Sequence, residues 1–177
     1  LMLHYGAENM SFDPIVVSGP NGSLPHGVPS EKAIQAGEFV TMDFGCIKNG
    51  YCSDMTRTVA VGSVTDEMKT VYETVLKAQL AGIAKARAGV TGRDIDAAAR
   101  KVIEDAGWGD YFTHRLGHQI GLVDHEPGDV SLVNEQVVEP GMTFSIEPGI
   151  YLPGRTGVRI EDLVLVTEEG CEILNKA

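Results

Sequence analysis

The chain has 177 residues, 43% of them hydrophobic, with 14 basic against 25 acidic side chains and a formal net charge of −11. That length and apolar share suit one domain with a sizeable core. The acidity argues against a nucleic-acid partner, and no apolar run reaches the length of a membrane span or a signal peptide.

In chain order, the first candidate is His26, in the Pro- and Gly-rich loop SLPHGVPS. The segment from Glu38 to Gly62 follows, with two β-rich stretches flanking Asn49-Gly50, a strong signal for a tight type I′ hairpin. With those two residues as the loop, Lys48 faces Tyr51, Asp43 faces Thr56 and Asp54 faces Gly45. Asp43 and Asp54 then share a face as diagonal neighbours about 7–8 Å apart. A four-residue loop keeps that parity, and a three-residue loop would put the acids on opposite faces. Cys46 and Cys52 pair only if the register slips by one residue. Three cysteines (46, 52 and 171) are an odd number without metal-knuckle spacing, so a reducing, cytoplasmic setting is expected.

Two helices come next. Thr65 is a plausible N-cap for Asp66 to Ala88, where Met68, Val71, Tyr72, Val75, Leu76 and Ile83 follow a three-four spacing. Thr91, with Asp94 as its box partner, opens a second helix through Ile95, Ala98, Val102 and Ile103 towards Gly107. Both stripes read as core, covering one sheet face and leaving the other free for a site. Order along the chain is β, two helices, β, as in an α+β domain.

The segment THRLGHQIGLVDHEP holds His114, His118 and His125. Gly117 and Gly121 argue against a helix, and an extended backbone puts His114 and His118 on one face. A last β-rich pair, Met142 to Tyr151 and Gly157 to Thr167, is joined through Pro-Gly-Arg-Thr. Glu147 and Glu161 each interrupt an otherwise apolar strand, and a buried acid needs a partner or a metal. Arg159 is the alternative partner. An odd loop length would set Glu147 across from Glu161; an even one would separate their faces.

Asp43, Asp54, His118, Glu147 and Glu161 are thus five side chains suited to hard divalent ions. Together they carry roughly −4, which two divalent ions would nearly cancel. Two such ions about 3.5–4 Å apart fit the Asp43–Asp54 spacing. They would bring the chain's charge to about −7, so the acidity is only partly the site's.

LPHGVPSEK, FVTMDFG, NGYCSDMTRT, LGHQIGLVDHE, FSIEPGIY and VRIEDLVLVT together resemble the pita-bread metallopeptidases, closest to their Xaa-Pro branch of prolidase and aminopeptidase P. The resemblance runs from about Ser11 to Thr167. It implies a curved antiparallel sheet with helices on its outer face, and residues 1–177 as a catalytic domain without its opening helices or the separate N-terminal domain. LMLHYGAENMSF looks like the tail of the missing first helix pair, so a fragment of a longer, homodimeric enzyme is expected.

By that resemblance Asp43 chelates one metal, Asp54 and Glu161 bridge two, and His118 and Glu147 complete the other. Glu147 also handles the proton of a bridging water. His26, His114 and His125 line the substrate site and steady the tetrahedral intermediate, and Arg159 holds carboxylates in place. The expected reaction is hydrolysis of the bond before proline in a peptide or dipeptide. Two metals bring a shared water's pKa towards neutrality and polarise the carbonyl. Oxygen-rich ligation with one imidazole favours manganese, Mn²⁺, with Co²⁺, Fe²⁺ or Zn²⁺ as other occupants. Two departures stand out: Gln119 where relatives often have glycine, and Val123-Asp124 in reversed order, which leaves the role of Asp124 open. Rival readings are a methionine aminopeptidase-like enzyme, disfavoured by DMTRT and LPHGVPS, and a non-catalytic binding module, disfavoured by the full ligand set.

Overall fold

The structure is a computed structural model that describes residues 1–176. The strands are β1 (Asn9–Met10), β2 (Ile15–Ser18), β3 (Phe39–Asp43), β4 (Cys46–Lys48), β5 (Tyr51–Cys52) and β6 (Thr56–Ala60) before the helices. They continue as β7 (Gly117–Gln119), β8 (Glu126–Val130), β9 (Thr143–Ile146), β10 (Gly149–Leu152), β11 (Thr156–Arg159), β12 (Asp162–Val166) and β13 (Cys171–Ile173) after them. Helices α1 (Asp66–Lys85) and α2 (Gly92–Asp105) lie between the two sets. Pairing is antiparallel throughout, in sheets ordered β2-β3-β6, β1-β4-β5, β10-β11 and β13-β12-β9-β7-β8.

The first hairpin has the predicted register. Lys48 is opposite Tyr51 and Asp43 opposite Thr56. Asn49 (φ 51°) and Gly50 (φ 79°) both take the positive φ that a type I′ turn demands, and Glu8 accepts both of their N–H groups at 2.9 and 3.1 Å. Ile47, rather than Cys46, stands opposite Cys52, and all three cysteines are free thiols.

The second hairpin takes the odd alternative. Its loop is Pro153, Gly154 and Arg155, closed by Leu152 opposite Thr156. The β10-β11 and β9-β12 ladders share one register, with Gly149 opposite Arg159 and Ile146 opposite Asp162, which leaves Glu147 facing Glu161 between them. The two long strands expected here are each split at the acid. Pro148 has no N–H to give the ladder, and both glutamates turn their N–H groups to other elements: Glu147 to the Leu116 carbonyl (2.9 Å) and Glu161 to that of Thr56 (3.1 Å). Glu161 thereby ties the second hairpin to the first.

Both helix starts are as expected. The Thr65 hydroxyl accepts from Met68 N–H (3.2 Å), and Thr91 with Asp94 forms a reciprocal capping box at 3.0 and 3.1 Å. Val71, Val75, Ile95 and Ile103 are fully buried against Phe144, Ile146, Ile150 and Val158 of the sheet. Leu76 instead lies exposed, and on α2 the inward positions are Asp96 and Ala99 rather than Ala98. The opening residues form a hydrogen-bonded turn, Tyr5 N–H to the Leu1 carbonyl at 3.0 Å, with Leu1, Leu3 and Tyr5 exposed. Among the described residues no helix is long and apolar enough to cross a membrane.

Candidate metal centre

The strand breaks set the site. Asp43 ends β3, Asp54 sits between β5 and β6, and Glu147 and Glu161 occupy the paired breaks of the second hairpin. His118 is the middle residue of β7, which comes this close to β9 because position 117 is glycine: a Cβ there would lie 1.9 Å from the Ser145 carbonyl oxygen. All five line one cavity of about 510 Å³, together with His26, His114, His125, Asp124 and Arg159. Side-chain donor atoms of Asp54, His118 and Glu161 fall within 4.8 Å of one another.

The polar chemistry of this cluster is one-sided. His118 Nδ1 lies 3.2 Å from the Gln119 carbonyl, which can only accept, so the proton sits there and Nε2 presents its lone pair. In the neutral ring that nitrogen stands 3.6 Å from Asp54 Oδ2 and 3.5 Å from Glu147 Oε1, so with the carboxyls ionised the three are all acceptors. Asp43 Oδ1, Asp54 Oδ1 and Glu161 Oε1 are buried without any hydrogen-bond partner. Burial pushes the Asp54 carboxyl up to about 6 and Glu147 up to about 7, and raises Glu161 well above the usual carboxylate range, with neighbouring carboxylates adding to each. Burial pulls on His118 in the opposite sense, but Asp54 and Glu147 outweigh it and leave the imidazole raised. Divalent cations fit such a donor set, because they would supply the missing positive partner to every one of these oxygens.

Arg159 does what the sequence suggested and more. Its guanidinium donates to Asp43 Oδ2 (2.6 Å), Thr56 Oγ1 (3.1 Å), the Tyr151 hydroxyl (3.0 Å) and the Pro25 carbonyl (2.8 Å), which anchors the loop carrying His26. Burial works against its charge, yet Tyr151, Asp43 and Glu147 hold its pKa above the ordinary value. It pairs with Asp43, not with either glutamate.

His114 is held by a directed chain. The Tyr151 hydroxyl accepts from Arg159, so it donates to His114 Nε2 (2.9 Å), and His114 Nδ1 donates to the Arg115 carbonyl (2.7 Å). Burial pulls the His114 pKa down to about 4, consistent with this neutral tautomer. His125 stacks on His118 with ring centroids 3.8 Å apart, and its Nδ1 meets Asp124 Oδ2 at 2.8 Å, which gives Asp124 a place beside the site.

Several supporting residues escaped the sequence reading. Thr56 donates to Glu161 Oε2 (2.6 Å), Ser145 donates to Glu147 Oε1 (3.0 Å) while accepting from His118 N–H (3.0 Å), and Arg57 binds the Glu161 carbonyl (2.5 Å) and Asp162 (2.6 Å). Thr56 and Ser145 each sit two residues from a site acid in the sequence. That period-two spacing was the available signal.

Antiparallel sheets packed against two helices, with a carboxylate-rich cavity lined from the strand breaks, define a pita-bread metallohydrolase. Residues 1–168 match Metallopeptidase family M24, and the chain belongs to that family. It is 46% identical to the prolidase from Pyrococcus furiosus (TM-score 0.97, covering 99% of this chain and 52% of that one). It is 52% identical to an Xaa-Pro dipeptidase from Bacillus anthracis (TM-score 0.98, 99% and 50%). An uncharacterized peptidase of Staphylococcus haemolyticus is 52% identical over 170 residues, 96% of this chain and 48% of that protein. The chain spans about half the length of these relatives.

Proposed function

We propose that residues 1–177 form the catalytic domain of a dinuclear metal-dependent Xaa-Pro peptidase. The observation that carries this reading is the convergence of Asp54, His118 and Glu161, with orphaned carboxylate oxygens, in the cavity that Asp43 and Glu147 also line. Asp43 would hold one ion, Asp54 and Glu161 would serve both, and His118 and Glu147 would hold the other, with manganese the preferred occupant. Bound there, the ions supply an acidified water and a Lewis acid for the scissile carbonyl.

The chain's own residues do the rest. Glu147, steadied by the Ser145 hydroxyl, takes up a proton and returns it to the leaving nitrogen. Both ring nitrogens of His114 are already engaged, so we assign it to shaping the wall and leave contact with the developing oxyanion to His26 and His125. A bond before proline has no amide hydrogen, which suits a site that recognises the carbonyl rather than an extended backbone. Prolidase and Xaa-Pro dipeptidase neighbours support this substrate class, and three free thiols support a cytoplasmic setting.

The test is hydrolysis of an X-Pro dipeptide by the full-length protein with and without Mn²⁺, beside a Met-peptide and the Glu147→Ala variant. Turnover of the X-Pro substrate is expected only with metal, falling about 10²–10⁴-fold in Glu147→Ala. Preference for the Met-peptide would move the assignment to a methionine aminopeptidase-like enzyme. Unchanged turnover in Glu147→Ala would remove its proton-handling role.

A further inference from the structure

Outside the cavity, α2 carries a buried ion pair that the chemistry above does not use. Asp96 is completely buried and the Arg100 side chain only 14% exposed, one helical turn apart, joined at 2.7 Å (Nε to Oδ1) and 3.1 Å (Nη2 to Oδ2). A buried pair of this kind adds little stability over apolar side chains of similar volume, so its remaining hydrogen bonds are the informative feature. All of them go to one stretch of main chain. Arg100 donates to the carbonyls of Phe112 (3.0 Å) and His114 (2.9 Å), and Asp96 Oδ2 accepts from Leu116 N–H (3.0 Å), which also reaches the Val130 carbonyl (2.9 Å).

Residues 112–116 belong to no strand, and only Leu116, at the edge of β7, makes main-chain bonds to neighbouring strand segments. Two side chains from α2 occupy three backbone groups of this stretch. The guanidinium also lies 4.1 Å above the Phe112 ring, whose edge meets the His114 imidazole with centroids 5.1 Å apart. His114 is therefore gripped through its own carbonyl and through the aromatic ring beside it. Leu116, tied to Asp96 by its N–H, gives its carbonyl to Glu147 N–H at 2.9 Å.

We infer that Asp96 and Arg100 are positioning residues, fixing from the far side of the sheet the backbone that aims His114 into the substrate cavity. The kinetic part of this inference rests on the peptidase reading, whereas the structural part does not. In the full-length, Mn²⁺-loaded protein, Arg100→Lys keeps the charge but cannot span both carbonyls. It is expected to lower kcat/KM for an X-Pro dipeptide about 10- to 100-fold, with the melting temperature changed by only a few degrees. Because the loss runs through His114, adding Arg100→Lys to His114→Ala should cost nothing beyond His114→Ala alone.

Nitrogen-15 spectra of the His114 ring supply the arm that does not depend on turnover. The parent should show the single Nδ1–H tautomer, and Arg100→Lys a mixture. Multiplicative losses in the double variant, full activity in Arg100→Lys, or an unchanged ring spectrum each overturn the inference. Should Arg100→Lys fail to fold, the isosteric Asp96→Asn takes its place in the same cycle and spectra. A parent without X-Pro turnover sinks the peptidase reading and leaves the ring spectra to decide this one.

Discussion

Thr56 shows how a neutral side chain can govern an acidic site. Its hydroxyl donates to Glu161 Oε2 and accepts from Arg159 Nε, so one oxygen fixes the carboxylate and the guanidinium together. Thr56→Val keeps the shape and removes both bonds. Metal affinity, measured by titration calorimetry with Mn²⁺, is expected to fall about 10- to 100-fold; an unchanged affinity would show that Glu161 needs no such support. At this scale the acids and histidines were legible because their residue types are costly inside a core unless something partners them. Thr56, Ser145 and Tyr151 were not, since hydroxyl-bearing residues are ordinary in strands and only three-dimensional contact reveals what they bond. His114 was legible as a site residue, but its chain of donors from Arg159 through Tyr151 was not.

Among the elements, the first hairpin and both helix starts could be read locally, because turn chemistry and caps act over a few residues. The Thr91–Asp94 box lies far from the cavity in function, and Thr91→Ala is expected to cost about 1 kcal/mol of stability. Thermal melts should register that loss while kcat and KM stay at parent values; a change in KM would mean that α2 couples to the site through its N-terminus. The second hairpin was legible only as a choice between two parities, since Pro-Gly-Arg-Thr permits either loop. The breaks at Glu147 and Glu161 were hidden, because the partners of those two N–H groups, Leu116 and Thr56, lie 31 and 105 residues away in the chain.

Across the whole molecule, the acidic cluster links metal, pH and stability. Asp54, Glu147, Glu161 and His118 all have folded-state pKa values above their ordinary ones, so the metal-free folded chain binds more protons than the unfolded chain. Such groups contribute stability at low pH that is lost as pH rises through their folded values. His114, held down to about 4, has the opposite sign and withdraws stability as pH falls below the ordinary histidine range. Metal-free protein should therefore melt at higher temperature as pH is lowered from about 8 to about 6, and level off below that. Mn²⁺ at about pH 8 should restore the stability lost on the alkaline side. Melting temperatures that stay flat or fall as pH is lowered from about 8 to about 6 without metal, and are indifferent to Mn²⁺, would break the link.

What the amino-acid order determined by itself was local and chemical: the Asn49-Gly50 turn, the caps at Thr65 and Thr91, the apolar stripes of two helices apart from Leu76 and Ala98, and the residues whose burial would demand a cation. Each of these follows from propensity, periodicity or desolvation within a short stretch of chain. Tertiary structure alone decided that the second hairpin loop is odd, that its strands part at the two glutamates, and that Arg159 pairs with Asp43. It also decided that Asp96 and Arg100 reach across to the His114 backbone. Those outcomes depend on which distant carbonyl or hydroxyl meets a given donor, and packing of the whole sheet against α1 and α2 sets that geometry.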